Sequence, residues 1–504
     1  MTKCIMIQGT SSNAGKSVLV AALCRIYKNR GYKVAPFKSQ NMSLNSYTTI
    51  EDKEIAIAQV FQAEAAKIEP TSDMNPILLK PKGEFISQVI INGKPVGDMN
   101  FYDYQHKYRE TALKAITESF NRLKEEYEII IIEGAGSPAE INMRKEDIAN
   151  MEIAHLTDSN VILVADIHQG GVFASIAGTY ILLDEKDQSR LNAVIINKFS
   201  GNLDILKPGI DKIEEITKIP VLGVVPYAHD IQLPEEDSAS LSEHEFKQGK
   251  PITIGVMKLP KIANFTDIDP FEYEDDVSLK LININDNIGD VDALIIPGTR
   301  NTITDMIALK ESGKADEIKE LSKNIPIIGI CGGYQILGKR IYDKFNRESN
   351  IGTIEGLGLL NIESTFIRDE KVIKQSKGRI VSNNNEILKN INGELIKGYE
   401  IHEGTSTINT NPLIMIEEGI GNDDNSNFDG AVQGNIIGTY FHGLFTNYNF
   451  RRSFLNYIRS KKGLKLDNGD IDYYITRKDE NIEKLAKLIE DNVDMSYIDK
   501  LLFE

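Results

Sequence analysis

The 504-residue sequence predicts an α/β protein made of two doubly wound domains, each with a mostly parallel sheet. Two observations predict this fold class: short runs of β-branched residues recur along the chain, and helical patterns fill the spaces between them. The first series of runs comprises Lys3–Ile7, Lys33–Phe37, Ile129–Ile132, Val161–Ala165, Ala193–Asn197 and Val221–Val225. The second comprises Ile252–Val256, Ala293–Ile296, Ile325–Ile330 and Ile436–Phe441. Continuous apolar strands of this kind are typical of parallel sheets that helices cover on both faces.

A polar stretch without a sustained apolar period separates the two series, between Pro226 and Pro251. Such a stretch is typical of a domain boundary. We therefore expect a phosphate-binding domain at 1–235, a second domain at 251–450, and a helical tail at 451–504 that packs on the second domain. The apolar residues of the tail recur at helical spacing: Ile482, Leu485, Ala486, Ile489 and Val493.

The composition excludes several classes of partner. Acidic side chains outnumber basic ones by 74 to 57, which gives a formal net charge of −17. A surface of this sign repels phosphate backbones and anionic lipid heads, so we expect neither nucleic-acid nor membrane binding. No segment approaches the roughly 18 consecutive apolar residues of a membrane helix. Three cysteines in a chain of this length do not make a disulfide framework. We therefore expect a cytoplasmic protein, and its oligomeric state is left open.

The first strand leads into a phosphate-binding loop. Gly9–Ser17 reads GTSSNAGKS, follows a strand and opens a helix. In such loops, backbone N–H groups bind phosphate oxygens, the lysine adds positive charge, and the serine hydroxyl contacts Mg²⁺. Five residues separate the two outer glycines, one more than in the standard form. A glycine-rich turn that binds nothing is the alternative, but the position and the Gly-Lys-Ser ending favour an ATP site. Its expected residues are Gly9, Asn13, Gly15, Lys16 and Ser17.

Three further side chains lie where they would serve this site. Glu133 follows a buried strand, at the sheet edge where open α/β sheets bind ligands, and is the expected Mg²⁺ contact beside Ser17. Glu54 is a second metal candidate, although a helix-start carboxylate explains it equally well. Asn197 also ends a strand and is a candidate for contact with the nucleotide base, with a turn-forming Asn as the alternative.

The second domain carries a candidate nucleophile. Cys331 lies in the string GICGGYQ, between a strand and a helical pattern, which has the form of a nucleophile elbow. The N–H of Gly332 would face a developing oxyanion, and the helix N-terminus favours the thiolate. Gly298 follows another strand and is the second expected oxyanion donor. Cys4 and Cys24 are expected in the core of a strand and a helix.

A cysteine nucleophile requires a base. Among the seven histidines, His442 directly follows a strand of the same domain and is the expected base. His402 is the rival, and a structural histidine is the alternative for either. An ATP site and a Cys–His site together predict a glutamine-dependent amidoligase. The thiolate forms a glutamyl thioester and releases ammonia, and the ammonia attacks a carboxylate that ATP has activated as an acyl phosphate.

Longer strings carry a family resemblance. Residues 329–335 (GICGGYQ) and 440–443 (YFHG) resemble the triad-type glutamine amidotransferase domain of the cobyrinate amidases. The phosphate loop and residues 133–136 (EGAG) resemble the dethiobiotin-synthetase-like ATP domain. The signatures of the cobyric acid synthases in particular are similar to three strings: 38–46 (KSQNMSLNS), 74–81 (MNPILLKP) and 133–142 (EGAGSPAEIN). The resemblance covers the chain up to about residue 450.

The resemblance implies a substrate and a reaction in cobalamin biosynthesis. The corrinoid adenosylcobyrinic acid a,c-diamide is amidated at its b, d, e and g carboxylates, and each step uses L-glutamine, ATP and Mg²⁺. The resemblance also implies binding roles for Lys38, Asn41 and Lys80 toward carboxylate, acyl phosphate or the corrin side chain. Asp147 is a candidate for the same site, with a surface-helix position as the alternative.

One departure from the amidotransferase pattern concerns His442. Typical triad amidotransferases carry Glu two residues after the histidine, where this chain has Leu444. The cobyrinate amidases lack this Glu, so a Cys–His dyad is expected and the residue that orients the imidazole is left open. The alternatives are another amidoligase, such as the a,c-diamide synthase, or a ParA-like ATPase with a degenerate amidotransferase module. The string at 38–46 argues against the first, and the intact Cys331 and His442 argue against the second.

Overall fold

The computed structural model describes residues 2–83, 85–228, 231–232, 244, 246–366, 371–382 and 384–504. The chain divides into two compact units. The first consists of Met1–Ser43, Glu54–Leu233 and Lys478–Glu504, and the second consists of Leu44–Lys53 and Pro234–Arg477. The end of the first domain expected at residue 235 lies outside the described residues.

Helices and strands follow one another along the chain. Up to residue 226 they are β1 (Lys3–Gly9), α1 (Lys16–Asn29), β2 (Val34–Phe37), β3 (Gln40–Met42), β4 (Ser46–Thr48), β5 (Glu54–Ala56), α2 (Ile57–Ala65), β6 (Ile77–Gly83), β7 (Ile86–Ile91), β8 (Lys94–Asn100), α3 (Phe101–Asp103), α4 (Arg109–Glu126), β9 (Ile129–Glu133), α5 (Met151–Leu156), β10 (Asn160–Asp166), α6 (Val172–Leu182), α7 (Glu185–Gln188), β11 (Leu191–Phe199), α8 (Leu203–Thr217) and β12 (Val221–Pro226). From residue 252 they are β13 (Ile252–Lys258), α9 (Asp269–Glu272), β14 (Val277–Asn283), β15 (Ala293–Ile296), α10 (Thr302–Glu311), α11 (Lys314–Leu321), β16 (Ile327–Ile330), α12 (Gly332–Leu337), β17 (Arg340–Tyr342), β18 (Thr353–Glu355), β19 (Ile362–Thr365), β20 (Val372–Ile380), β21 (Leu395–His402), β22 (Thr405–Ile408), β23 (Ile414–Glu418), β24 (Phe428–Asp429), β25 (Ala431–Gln433), β26 (Ile436–Thr439), α13 (Tyr448–Lys461), α14 (Tyr473–Asn492) and α15 (Met495–Phe503).

The first unit is built on a six-stranded sheet in which every neighbouring pair is parallel. Its order is β12-β11-β10-β1-β9-β2, and these are the six strands of the first predicted series. β9 is buried throughout, as its run of isoleucines requires. Because all six strands are parallel, the loops after β1, β9 and β11 lie at one edge of the sheet, where ligands of open α/β sheets bind. A separate sheet, β3-β6-β7-β8, completes this unit.

The C-terminal tail packs differently from the expectation. Residues from Lys478 onward belong to the first unit and not to the second. Their apolar stripe joins the core that surrounds α1. Arg25 of α1 is fully buried, and its guanidinium donates to Asp479 at 2.7 Å and Glu483 at 2.6 Å. A buried charge requires such partners, so this arginine explains why α14 packs against α1.

The second unit contains another six-stranded sheet, in the order β14-β13-β15-β16-β26-β25. Its first five strands are parallel neighbours, and β25 pairs antiparallel with β26. The four predicted strands of the second series are β13, β15, β16 and β26. Two four-stranded sheets, β18-β17-β19-β22 and β21-β20-β23-β24, lie between β16 and β26 in the sequence and were not predicted. Their strands are short or partly exposed, as in β20, so they lack a continuous apolar run.

The predicted α/β class with mostly parallel sheets is confirmed in both units. Within the described part of the chain, no helix combines the length and the apolar character needed to span a bilayer.

Candidate active sites

The phosphate loop joins β1 to α1 at the carboxyl edge of the first sheet. Gly15 directly precedes α1 with a φ of 99°, a conformation that favours glycine. A Cβ at this position would lie 2.1 Å from the Nδ2 atom of Asn197. Lys16 is buried and its Nζ donates to the carbonyls of Ser11 at 2.8 Å and Gly136 at 3.1 Å. The loop is therefore closed around the lysine at the edge where the expected ATP site lies.

Glu133 is the centre of a buried polar cluster beside this loop. Its Oε1 accepts hydrogen bonds from the Ser17 hydroxyl at 2.8 Å and from Lys38 Nζ at 2.7 Å. Its Oε2 accepts from Gln62 at 2.5 Å and lies 3.4 Å from Nε2 of Gln59. The structure thus brings three of the predicted residues together: the metal candidates Ser17 and Glu133, and Lys38.

This cluster has the donor chemistry that Mg²⁺ requires. Mg²⁺ is commonly held by one or two carboxylates, a serine or threonine hydroxyl and the phosphates of its nucleotide, and it keeps several waters. Ser17 and Glu133 supply one hydroxyl and one carboxylate, 2.8 Å apart. Among the residues that the structure describes, no group of three or more His, Cys, Asp or Glu side chains is placed to form an all-protein metal site. The residues therefore fit a metal that arrives with ATP.

Glu54, the second metal candidate, forms a buried ion pair. It is fully buried, and its Oε1 lies 2.7 Å from Lys80 Nζ. Asn41 is connected to the Glu133 cluster through Gln59, to which its Nδ2 donates at 3.0 Å. Among the four expected substrate residues, Lys38 and Asn41 thus adjoin Glu133, whereas Lys80 pairs with Glu54.

Two other predicted residues make local contacts that explain their presence. Asn197 donates through Nδ2 to the carbonyl of Ala14 at 3.0 Å, which supports the phosphate loop. Asp147 accepts from the backbone N–H groups of Ala149, Asn150 and Glu152 at 2.8–3.1 Å. A carboxylate in this arrangement stabilises the start of a helix. Asn197 therefore has a structural role that does not depend on a nucleotide base, and Asp147 has one that does not depend on a substrate.

Cys331 occupies a strained turn between β16 and α12. Its φ of 53° and ψ of −110° lie in a region that costs a residue with a Cβ about 1–3 kcal/mol. The turn is possible because Gly333 follows: a Cβ there would lie 1.9 Å from the carbonyl oxygen of Ile296. The Cys331 N–H donates to Thr439 at 2.8 Å, and Sγ lies 3.5 Å from the Ile401 carbonyl oxygen. The turn therefore presents the thiol at the carboxyl end of its strand, as a nucleophile elbow does.

His442 is buried beside this thiol and is held by Asp267. The Nδ1 atom lies 2.8 Å from Asp267 Oδ2, and the N–H of Gly443 donates to Asp267 Oδ1 at 2.6 Å. Burial alone lowers the pKa of His442, but the charge and hydrogen bond of Asp267 and the contact with Cys331 raise it to about 10. The imidazole is thus fixed with a proton on Nδ1, and Nε2 is left for the thiol.

The other two cysteines and the rival histidine have different surroundings. Burial raises the pKa of Cys4 to about 12 and also raises that of Cys24. Such thiols are unreactive near neutral pH. His402 lies between Glu400 Oε2, at 3.1 Å, and the Gly404 carbonyl, at 3.2 Å, and its ring stacks on Tyr440. These contacts make His402 a buried structural partner of Glu400.

The two predicted oxyanion donors lie in loops that meet near Cys331. A Cβ on Gly332 would lie 2.5 Å from Thr299 Cγ2, and one on Gly298 would lie 3.2 Å from His442 Cε1. The loop after β15 therefore contacts both the residue that follows the nucleophile and the imidazole. Both glycines thus lie near the thiol and the imidazole, and their role as oxyanion donors stays a prediction.

Asp267, which was not predicted from the sequence, gives the expected Cys–His dyad a third residue. Asp267 lies in the short 3-10 helix Phe265–Ile268, in the loop after β13, and is 175 residues from His442 in the chain. No spacing rule connects two such positions. The sequence offered one indication: Asp267 follows β13, which is a parallel neighbour of β15. The loops after such strands lie at the same edge of the sheet.

A second missed feature is the arm Leu44–Lys53, which belongs to the second unit although its sequence lies between parts of the first. Asn45 Oδ1 accepts from the N–H of Asn264 at 2.8 Å, and the N–H of Ser46 donates to Asn264 Oδ1 at 2.8 Å. These two bonds orient the Asn264 amide so that its Nδ2 lies 3.4 Å from His442 Nε2. The end of the string at 38–46 therefore positions Asn264, a neighbour of His442.

Two family models match the chain, one in each half. Residues 5–241 match the family model described as CobQ/CobB/MinD/ParA nucleotide binding domain. Residues 253–450 match the model described as CobB/CobQ-like glutamine amidotransferase domain. Among solved structures, PurLQS from Thermotoga maritima is similar at a TM-score of 0.34 and 18% identity, over 41% of this chain and 99% of that chain.

Curated relatives match along nearly the whole length. A protein of Methanothermobacter thermautotrophicus described as "Probable cobyric acid synthase" is 59% identical over 99% of both chains. A protein of Clostridium botulinum described as "Cobyric acid synthase" is 47% identical over 98% of both chains. This chain belongs to the cobyric acid synthase family of glutamine-dependent amidoligases.

Proposed function

We propose that this chain converts adenosylcobyrinic acid a,c-diamide into adenosylcobyric acid by amidating its b, d, e and g carboxylates, with L-glutamine as nitrogen donor and ATP–Mg²⁺ as the activating reagent. The observation that carries the proposal is the strained Cys331 elbow beside the His442–Asp267 pair, in a chain that also contains a phosphate loop. The full-length similarity to relatives named for this product supports the choice of substrate.

In the glutaminase half, the Cys331 thiolate attacks the amide carbon of glutamine. The N–H groups of Gly298 and Gly332 stabilise the oxyanion that forms. The C–N bond breaks as His442 Nε2 gives its proton to the leaving nitrogen, which departs as ammonia and leaves a glutamyl thioester. Water then adds to the thioester with His442 as base, and glutamate leaves. Asp267 keeps the imidazole oriented and stabilises its protonated form through both half-reactions.

In the synthetase half, a corrinoid carboxylate oxygen attacks the γ-phosphorus of ATP, and ADP leaves. Lys16 and the amides of Gly9–Ser17 stabilise the phosphate charge, and Lys38 is placed for the acyl phosphate or its carboxylate. Mg²⁺, held beside Ser17 and Glu133, would neutralise charge on the β- and γ-phosphates. Ammonia then attacks the acyl carbon, and inorganic phosphate leaves with formation of the amide.

The experiment that tests this proposal compares two nitrogen sources. Cys331→Ser is expected to abolish glutamine hydrolysis and glutamine-dependent amidation, while amidation with added ammonium salt continues. Cys4→Ser removes a thiol in the other unit and serves as the control, with both activities retained. Glutamine hydrolysis at the normal rate in Cys331→Ser would remove this thiol from the mechanism.

A further inference from the structure

Arg300 has an unusual set of contacts for a buried guanidinium. It follows the loop that carries Gly298, and its Nε and Nη2 atoms are buried without a hydrogen-bond partner among the described residues. Its Nη1 approaches a carboxylate only loosely: it lies 3.6 Å from Glu403 Oε1, well beyond the 2.7–2.9 Å of a strong charge-assisted bond. Buried donors without partners destabilise the fold, so this arrangement calls for a ligand.

The edge of the guanidinium without partners is the one that binds carboxylates in pairs of bonds. Nε–H and Nη2–H point in the same direction and match the two oxygens of a carboxylate. Elsewhere in this chain, Arg144 uses these two atoms on Asp187 at 2.6 and 2.8 Å, and Arg459 uses them on Asp276 at 2.8 Å each. Arg300 therefore has the same binding edge without its carboxylate.

Both members of the weak ion pair lie one or two residues after a residue that contacts the nucleophile elbow. Thr299, one residue before Arg300, packs against Gly332, which follows Cys331. Ile401, two residues before Glu403, has its carbonyl oxygen 3.5 Å from Cys331 Sγ. A positive and a negative side chain thus come from two loops that both contact the elbow. Glutamine is short, so its charged end must lie within a few ångströms of the thiol that attacks its amide.

The neighbouring carboxyl group does not neutralise Arg300. Glu348 is half-buried. The loss of hydration at its carboxyl group and the nearby Glu403 raise its pKa to about 8, against the opposing hydrogen bond from the N–H of Ile303 and the charge of Arg300. Near neutral pH, Glu348 is therefore mostly protonated. The positive charge of Arg300 is left to Glu403 and to an anionic ligand.

We propose that Arg300 binds the α-carboxylate of glutamine and that Glu403 binds its α-ammonium group. The inference rests on the proposed glutaminase function and names the residues that select the amino-acid end of its substrate. Binding requires a change of the Arg300 rotamer that turns the buried Nε–Nη2 edge toward the ligand, and 13% of this side chain is already exposed. Glu403, with 21% exposed, then exchanges a long ion pair for a direct contact with the ammonium group.

Two truncated substrates separate the two contacts. 4-Aminobutanamide is glutamine without its carboxylate, and 5-amino-5-oxopentanoate is glutamine without its amino group. Arg300→Met is expected to raise the KM for glutamine about 10²-fold and to change kcat/KM for 4-aminobutanamide little. Glu403→Gln is expected to raise the KM for glutamine while changing kcat/KM for 5-amino-5-oxopentanoate little. Ammonia-dependent amidation stays at the wild-type rate in both variants.

Control variants separate a binding role of Arg300 from a structural one. Arg300→Lys keeps the charge without the two-bond edge and should recover only part of the affinity, whereas Arg379→Met, at an exposed guanidinium of the same unit, should behave as wild type. Equal losses for glutamine and both analogues, or lost ammonia-dependent activity, would mean that Arg300 only stabilises the fold. An unchanged KM would also overturn the inference. Absence of glutaminase activity in the wild-type protein would instead reject the proposed function.

Discussion

Replacing Asp267 by Asn is expected to slow glutamine hydrolysis while the fold stays in place. The Asn side chain keeps the shape and an acceptor oxygen for His442 Nδ1, but it removes the negative charge 2.8 Å away. Burial lowers the pKa of His442, and Asp267 provides the largest opposing contribution, with Cys331 adding to it, so that the pKa reaches about 10. Its ordinary value is 6.5, and the difference corresponds to about 5 kcal/mol in favour of the imidazolium.

Without the carboxylate charge, we expect the pKa of His442 to fall to its ordinary value or lower. At about pH 7.5, no more than about one imidazole in ten would then be protonated. Loss of the correct tautomer adds to this effect, so glutaminase kcat is expected to fall about 10²–10⁴-fold. The alkaline limb of the pH profile, where the imidazolium loses its proton, should move to lower pH.

The raised pKa of His442 also makes the free energy of unfolding depend on pH. A raised pKa in the folded protein stabilises the fold fully below the ordinary value of 6.5, and this contribution is lost as the pH rises through about 10. The free energy of unfolding should therefore fall between these values in the wild type, and this fall should be smaller in Asp267→Asn.

The assay measures glutamate release from glutamine across pH, together with amidation supported by ammonium salt. Asp316→Asn is the matched control, since that side chain is 91% exposed on α11. If Asp267→Asn hydrolyses glutamine at the wild-type rate with an unchanged pH profile, Asp267 does not orient or charge His442.

Three further substitutions test other parts of the molecule. Lys16→Ala should lower amidation with either nitrogen source by at least ~10²-fold, and normal ADP release would remove this lysine from the mechanism. Glu54→Ala leaves Lys80 buried without this partner and should lower the free energy of unfolding by about 3–5 kcal/mol. In denaturant titrations, the double variant Glu54→Leu/Lys80→Met should recover most of that loss. An unchanged unfolding midpoint in Glu54→Ala would refute the reasoning. Asn45→Ala removes the acceptor of the Asn264 N–H and should lower glutaminase kcat about 5–10-fold while ammonia-dependent amidation persists. Asn45→Asp should restore it, and an equal loss of both activities in Asn45→Ala would mean that the arm only stabilises the unit.

Much of the fold follows from one feature of the sequence. Ten predicted strands correspond to strands of the two six-stranded, mostly parallel sheets, because buried strands in such sheets are continuous apolar runs. β20, with one face partly exposed, has no such run, and the two four-stranded sheets of the second unit were missed for this reason. The part of the tail from Lys478 onward was assigned to the wrong unit, because an apolar stripe alone does not determine which core it joins. The buried guanidinium of Arg25 determines that partner.

The sequence likewise predicts some residues of the candidate sites and not others. Gly15, Lys16 and Cys331 lie in local strings whose chemistry depends on neighbours in the chain, and such strings are visible in one sequence. Asp267 lies beside His442 only because of the order of strands in the sheet, so no local sequence pattern predicts this contact. Arg300 is recognised only by the hydrogen bonds that it lacks within the described residues, which no sequence displays.

The most direct test of the central claim is mass spectrometry of the corrinoid after incubation with this protein, ATP, Mg²⁺ and glutamine. Each amidation replaces a hydroxyl group by an amino group and lowers the mass of the acceptor by about 1 Da. The account predicts four successive steps from adenosylcobyrinic acid a,c-diamide, all of which stop in Cys331→Ser and resume when ammonium salt is added. A corrinoid whose mass is unchanged while glutamine is hydrolysed would contradict it.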